Sequence, residues 1–288
     1  MEDIDLTHGR AELEVDLHYV EAGEGPLVIF LHGFPEFWYS WRHQLRALAG
    51  AGYHAVAPDM RGYNTSEKPA DVAAYSRPHL VGDVADLIDY FDADEAVVVG
   101  HDWGAVVSWV FAQDHPEKLS KLVILNAPHP ITMAKGVKQL RQMLRSWYIM
   151  YFQLPVLPEL TIRFRDYAIL RRIFRKDPVR RDAFTEEDID KYVEALSQPG
   201  ALTAAINYYR AASRHGLAKP IKRIDEEVLV IWGERDAYLG SNLAEPPPKL
   251  VPNVRVERID DASHWVQADR PERVNEFIVD FVRKDPVE

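Results

Sequence analysis

Four short apolar runs in the first half of the chain lack any polar alternation: "PLVIFLHG" (Pro26 to Gly33), "YHAVAPD" (Tyr53 to Asp59), "EAVVVG" (Glu95 to Gly100) and "KLVILN" (Lys121 to Asn126). A strand with one wet face alternates apolar and polar residues, whereas a strand covered on both faces does not. These runs therefore read as buried parallel strands. Between them, Leu80, Val84, Leu87, Ile88 and Phe91 recur at helical spacing and form one apolar stripe. The same rhythm returns late in "EVLVIWG" (Glu227 to Gly233) and "VRVERID" (Val254 to Asp260). A helix with Val274, Phe277, Ile278 and Phe281 on one face follows. The pattern predicts an α/β fold: a mostly parallel, doubly wound sheet with helices on both faces.

Residues 131–216 break this rhythm. They hold no convincing strand but several helical segments rich in aromatics and arginines, and read as a helical cap inserted into the sheet domain. The expected plan is 1–130 for the first part of the core, 131–216 for the cap and 217–288 for the second part. The basic stretch from Arg163 to Arg181 reads as a solvated cap face, and Pro246 to Pro248 as a rigid surface loop. With 288 residues, 47% of them hydrophobic, the chain can bury a sizeable core. Its net charge of -11 argues against a general affinity for nucleic acid. The absence of cysteine excludes disulfides, thiolate metal sites and a cysteine nucleophile. No apolar run approaches the ~20 residues of a membrane span. The acidic start "MEDIDLTHGR" lacks the apolar core of a signal peptide, so a cytoplasmic location is expected.

The chemistry centres on "VVVGHDWGAVVSWV", which sets Asp102 between a buried strand and an apolar helix. This is the Gly-x-nucleophile-x-Gly frame of a nucleophile elbow, with aspartate in the slot usual for serine. Gly100 and Gly104 are expected to let the backbone turn sharply and the helix pack closely on the strand. The plainer alternative is a tight turn in which Asp102 caps the next helix. A serine needs a base before it can attack; a carboxylate with an ordinary pKa near ~3.9 does not. Carboxylate attack on an acyl carbon gives a labile anhydride. Attack on a polarised saturated carbon gives an alkyl ester, which water can hydrolyse at the enzyme's own carboxyl carbon. The elbow thus points to opening an epoxide or displacing a halide.

Ester hydrolysis needs a base and an acid to orient it, and chain order in such folds runs nucleophile, acid, histidine. "ERDAYLG" offers Asp236 after one late strand, and "DASHWVQADRPERV" offers His264 after the next. Glu234, Asp260 and Asp261 are the rivals for the acid, more simply read as solvated loop charges. An oxyanion hole can use the backbone N–H of Trp103 and a second from "HGFP", His32 to Pro35. Phe34 is the natural second donor, because Pro35 has no N–H.

With "HGFPEFWYSWR", "GHDWGA", "WGERD" and "SHW" in view, the chain resembles the epoxide hydrolases of the α/β-hydrolase superfamily. The resemblance runs from about Leu13 to the last helix. It implies Asp102 as nucleophile, Asp236 as charge-relay acid, His264 as base and "HGFP" as oxyanion loop, often with a cis peptide before the proline. It also implies two cap tyrosines that bind the epoxide oxygen. "WYIMYFQ" matches the first at Tyr148, with Tyr151 as neighbour. "NYYR" matches the second at Tyr209, with Tyr208 where the family usually has tryptophan. Spacing alone would assign these tyrosines to helix packing. A phenol of pKa about 10 can hydrogen-bond the ring oxygen and protonate it as it leaves. The implied ligands are a small apolar epoxide, in a pocket lined by Phe34, Trp103 and cap aromatics, and water. No metal or organic cofactor is implied, and a monomer or homodimer is expected.

A haloalkane dehalogenase shares the Asp nucleophile, the His base and a Trp after the nucleophile. Such enzymes hold halide with indole N–H groups or an asparagine, often in the slot of Phe34, which has no side-chain donor. A fluoroacetate-type dehalogenase usually carries arginine where this chain has Trp103. A non-catalytic ligand-binding module would not need nucleophile, acid and base all intact, and release of a diol from an epoxide separates it.

Overall fold

The computed structural model describes residues 4–216 and 221–283. Its eight strands are β1 (Thr7–Glu12), β2 (Asp16–Ala22), β3 (Leu27–Leu31), β4 (His54–Pro58), β5 (Ala96–His101), β6 (Leu119–Leu125), β7 (Glu227–Gly233) and β8 (Val254–Ile259). They form one sheet in the order β1-β2-β4-β3-β5-β6-β7-β8. The six strands expected from sequence are all present and pair in parallel. The β1–β2 hairpin at the edge was not expected, and it runs antiparallel to itself and to β4. A search for unbroken apolar runs passes over β1, where Ala11 is the one buried residue. An antiparallel edge on a parallel sheet is a common arrangement.

The lack of polar alternation has a direct cause. Val28, Phe30, Val97, Val99, Leu229 and Ile231 face one core; the intervening Ile29, Leu31, Val98, Val230 and Trp232 face the other. The first core is closed by α1 (Arg42–Gly50) and, at the chain's end, by the last helix. The second is closed by α2 (Arg77–Tyr90) and α3 (Trp103–Asp114). The predicted α2 stripe holds: Leu80, Val84, Leu87 and Ile88 are buried and Phe91 partly so.

Between β6 and β7 the chain forms only helices among the described residues. These are α4 (Pro130–Gly136), α5 (Leu140–Arg145), α6 (Trp147–Tyr151), α7 (Leu157–Lys176), α8 (Glu186–Ser197) and α9 (Ala201–His215). A capping box starts α8, with the Thr185 hydroxyl and the Asp188 carboxylate each satisfying a backbone N–H. The basic stretch is not simply solvated: Arg171 and Arg175 of α7 pair with Asp190 and Glu186 of α8. Nor is the proline loop wholly on the surface, since Pro246 is buried. The chain closes with α10 (Val266–Asp269) and α11 (Pro271–Arg283). Val274, Phe277, Ile278 and Phe281 of α11 are all buried, each worth about 1.5–3 kcal/mol relative to exposure. No described helix is long and apolar enough to cross a membrane. The domain boundary expected at residue 217 lies outside the described residues, as do residues 1–3 and 284–288.

Candidate active site

Asp102 stands between β5 and α3 with φ of 48° and ψ of −117°. The strained residue of the turn is therefore the aspartate itself. Gly100 and Gly104 are not in the left-handed region, which corrects the role expected for them in turning the chain. Their work is close approach. A Cβ on Gly104 would lie 2.1 Å from the Leu31 carbonyl oxygen, and one on Gly100 2.4 Å from Ser108 Oγ. The Asp102 side chain does not cap α3. Its Oδ1 accepts the backbone N–H of Phe34 at 2.8 Å, in the loop after β3. Phe34–Pro35 is a cis peptide bond. Trp103 is the first residue of α3, so its N–H has no acceptor within the helix.

The loops after β7 and β8 bring the other two candidates to the same sheet edge. His264 Nδ1 lies 2.7 Å from Asp236 Oδ2, and its Nε2 lies 3.6 Å from Asp102 Oδ2. Asp236 also accepts from Asn126 Nδ2 at 2.8 Å and from the backbone N–H groups of Tyr238 and Leu239 at 2.7 and 2.9 Å. The rivals are engaged elsewhere: Glu234 with Arg258 and Asp261 with Arg270, while Asp260 is exposed.

Burial opposes ionisation of Asp102, but the His264 and His101 imidazoles and the Phe34 N–H outweigh it and hold its carboxyl below the usual range. Asp236 is held low in the same way, against burial, by His264, Asn126 and the Leu239 N–H. His264 is the mirror image. Burial disfavours its charge, yet Asp236 and Asp102 together raise it well above an ordinary imidazole.

Sequence reasoning missed a layer beneath these residues. Glu36 accepts from His101 Nδ1 at 2.6 Å, Gly33 N–H at 3.2 Å, Ser40 Oγ at 2.9 Å and Gln267 Nε2 at 3.1 Å. His101 Nε2 in turn donates to the His264 carbonyl at 2.8 Å. One buried carboxylate thus ties together the loop after β3, the elbow and the histidine loop. Gly33 was also missed: a Cβ there would lie 2.4 Å from Asp102 Cβ. The available signal, a lone polar residue at the end of a buried strand, fits His101 and Asn126 but not Glu36, five residues beyond β3.

Two cavities of about 350 and 370 Å³ meet at Asp102, Tyr148 and Tyr209, which line both. Phe34 and His264 line the first and Trp103 the second. The Tyr148 and Tyr209 rings are 6.0 Å apart, and Tyr209 stands edge-on to Trp103 at 4.8 Å. Burial, then the charge on Asp102, pushes both phenols well above their ordinary pKa, so they stay protonated. Tyr208 lines neither cavity; its hydroxyl donates to the Arg61 carbonyl at 2.8 Å in the core. Tyr151 lines the first cavity, but its hydroxyl lies 2.6 Å from Thr161 Oγ1. Among the described residues no group of three or more His, Asp or Glu side chains is arranged to hold a metal ion.

The alpha/beta hydrolase fold family matches residues 26–271, from the strand β3 through the elbow to the histidine loop. The chain belongs to that family. It is 42% identical over 273 residues to the AB hydrolase superfamily protein YfhM of Bacillus subtilis, covering 93% of this chain and 95% of that protein. It is 37% identical over 278 residues to Epoxide hydrolase 2 of Caenorhabditis elegans, covering 94% and 78%. Among solved structures, Bacillus megaterium epoxide hydrolase in complex with an inhibitor is similar at a TM-score of 0.89 and 31% identity, covering 96% and 100%. The likeness to the family's epoxide hydrolases thus extends over nearly the whole chain, as the motifs led one to expect.

Proposed function

We propose that this hydrolase converts a small apolar epoxide to a vicinal diol through an alkyl ester on Asp102. The observation that carries the reading is an ionised carboxylate at the elbow, sharing both cavities with two protonated phenols. Tyr148 and Tyr209 donate hydrogen bonds to the epoxide oxygen. Asp102 attacks one ring carbon, that C–O bond breaks, and the departing alkoxide takes a phenolic proton. Phe34 N–H already holds Oδ1, which leaves Oδ2 to attack and Oδ1 to become the oxyanion when water adds. The Trp103 N–H is the second oxyanion donor.

Forming the ester removes the Asp102 charge, one of the two carboxylates that raise the His264 pKa. Its pKa then falls, it releases its proton to solvent, and the neutral imidazole can act as a base. It takes a proton from water, the hydroxide adds to Asp102 Cγ, and the diol alkoxide leaves, collecting the proton from His264. The phenolate takes a proton from solvent, and Asp102, re-formed with one oxygen from water, gives up its acid proton and returns as the carboxylate. Asp236 orients the ring and stabilises its charge.

Residues 131–216 act as the cap domain that supplies the two tyrosines, and residues 1–130 and 217–288 as the hydrolase core. Two cavities on either side of the tyrosines suit an epoxide with apolar groups on both arms. A cytoplasmic monomer or homodimer that needs neither metal nor cofactor completes the reading. The rival, haloalkane dehalogenase, shares the acid, the base and the nucleophile, but Phe34 brings no side-chain donor for a halide.

His264→Ala tests the proposal directly. Mixed with styrene oxide, it is expected to accumulate an adduct of mass enzyme plus epoxide, mapped by peptide analysis to Asp102. Full turnover by the variant, or epoxide bound without an ester, would overturn the scheme. Halide release measured in parallel on a haloalkane reads out the rival.

A further inference from the structure

The helices over the cavities are turned inside out. Where α5 meets α6, Gln142 and Ser146 are buried, and Gln142 donates to Ser146 Oγ and to the Tyr238 carbonyl and accepts from Gly240 N–H. Leu140, Met143, Leu144 and Trp147, at the i, i+3, i+4, i+7 spacing that normally faces a core, are instead 66, 53, 64 and 63% exposed. Leu157 and Leu160 do the same on the first part of α7, and Phe164, where that helix kinks, is exposed as well. Single exposed apolar residues are ordinary, but a run of them on adjoining helices marks an interaction surface. Tyr151 Oη on α6 bonds Thr161 Oγ1 on α7, so the two stripes adjoin.

Charge says what this surface meets. Residues 131–170 hold six lysines and arginines against two acidic residues, in a chain of net charge -11. Both acidic residues are taken: Glu159 pairs with Arg210 and Asp166 with Arg171. Lys135, Lys138, Arg141, Arg163 and Arg165 are exposed and enter no ion pair among the described residues. An apolar stripe with an indole, fringed by unpaired cations, is the make-up of a helix that lies in the interface of an anionic bilayer. A second copy is the poorer fit, because a two-fold interface would set this cationic fringe against an identical one.

We propose that the α5–α7 face docks on anionic lipid membranes. No membrane-spanning helix is needed for such an association. Leu144, Trp147 and Ile169 belong to this exposed surface and also line the cavity that contains Asp102. If the cavity takes an apolar epoxide, as proposed above, the docked protein can receive it from the bilayer without carrying it through water. The docking itself does not depend on that activity.

Sedimentation with phosphatidylcholine vesicles, with and without phosphatidylglycerol, tests the proposal. The full chain is expected to pellet with the anionic vesicles at low salt and to be released at high salt. Lys138→Glu and Arg141→Glu should each weaken binding about fivefold or more. The triple variant Leu140→Ser, Met143→Ser, Leu160→Ser alters exposed residues that do not line the Asp102 cavity. It should lose vesicle binding while keeping the wild-type thermal midpoint and its rate on a water-soluble epoxide. Equal pelleting with both vesicle types, or none with either, would overturn the proposal. So would a wild-type dimer that the triple variant dissolves without any vesicle binding in the wild type. Vesicle binding without diol formation would instead sink the epoxide reading and leave the docking intact.

Discussion

The two halves of the candidate site are held by different forces. On the sheet edge, Asp102, Asp236 and His264 are fixed by directional hydrogen bonds, several from backbone N–H groups that strands and turns cannot move without breaking. On the helical side, Tyr148 and Tyr209 are fixed by ring packing: Tyr209 against Trp103, Phe34 and Phe152, Tyr148 against Phe152 and Tyr238. Aromatic contacts are worth about 0.5–1.5 kcal/mol each and tolerate more than one arrangement. The edge half is set by directional bonds that allow one geometry. The helical half rests on packing that allows more than one, which suits a wall around a single fixed point.

The comparison is broken most severely if the helical half turns out to carry no chemistry. Tyr148→Phe and Tyr209→Phe should each slow ester formation on the order of 10²-fold, the double variant more, with ester hydrolysis little changed. Pre-steady-state rates of the two phases would show this. A loss from Tyr151→Phe or Tyr208→Phe instead, with the named pair unaffected, would reassign the donors.

A smaller effect separates the halves by pH. Asp102 is held below the ordinary carboxylate range, so it stays ionised above that, and the raised phenols stay protonated below theirs. Ester formation should therefore be flat from about pH 5 to 9. Hydrolysis needs neutral His264, and should fall about tenfold per unit once pH drops below the imidazole pKa of the ester form. Stopped-flow traces across that range test it; a sloping first phase would tie the edge histidine to the attack itself.

The smallest effect concerns the tyrosine next door. Tyr208→Phe leaves the buried Arg61 carbonyl without this donor, which should cost about 1–3 kcal/mol of stability with the rate constants preserved. Denaturant unfolding beside the kinetic assay distinguishes the two.

The same division explains what the sequence made legible. Strands buried on both faces announce themselves as unbroken apolar runs, and residues just past their carboxyl ends fall at the site, which is how Asp102, Asp236 and His264 stand out. Tyr148 and Tyr209 carried no such signal; helical spacing cannot tell Tyr148 from Tyr151, and only the resemblance separated them. Glu36 was hidden because its hydrogen bond to His101, 65 positions away, leaves no local pattern. The α5 stripe misleads outright. Periodicity says that Leu140, Met143 and Leu144 share a face, and says nothing about whether that face looks inward.

The backbone at Asp102 has a consequence for how such a protein can change over generations. A non-glycine residue held in that region costs of order 1–3 kcal/mol. Glycine at 102 would adopt the same turn without that strain, and would attack nothing. Selection for thermal robustness alone therefore runs toward an inert fold. On the proposed mechanism, Asp102→Gly is expected to unfold at higher denaturant than the wild type while forming no ester at all.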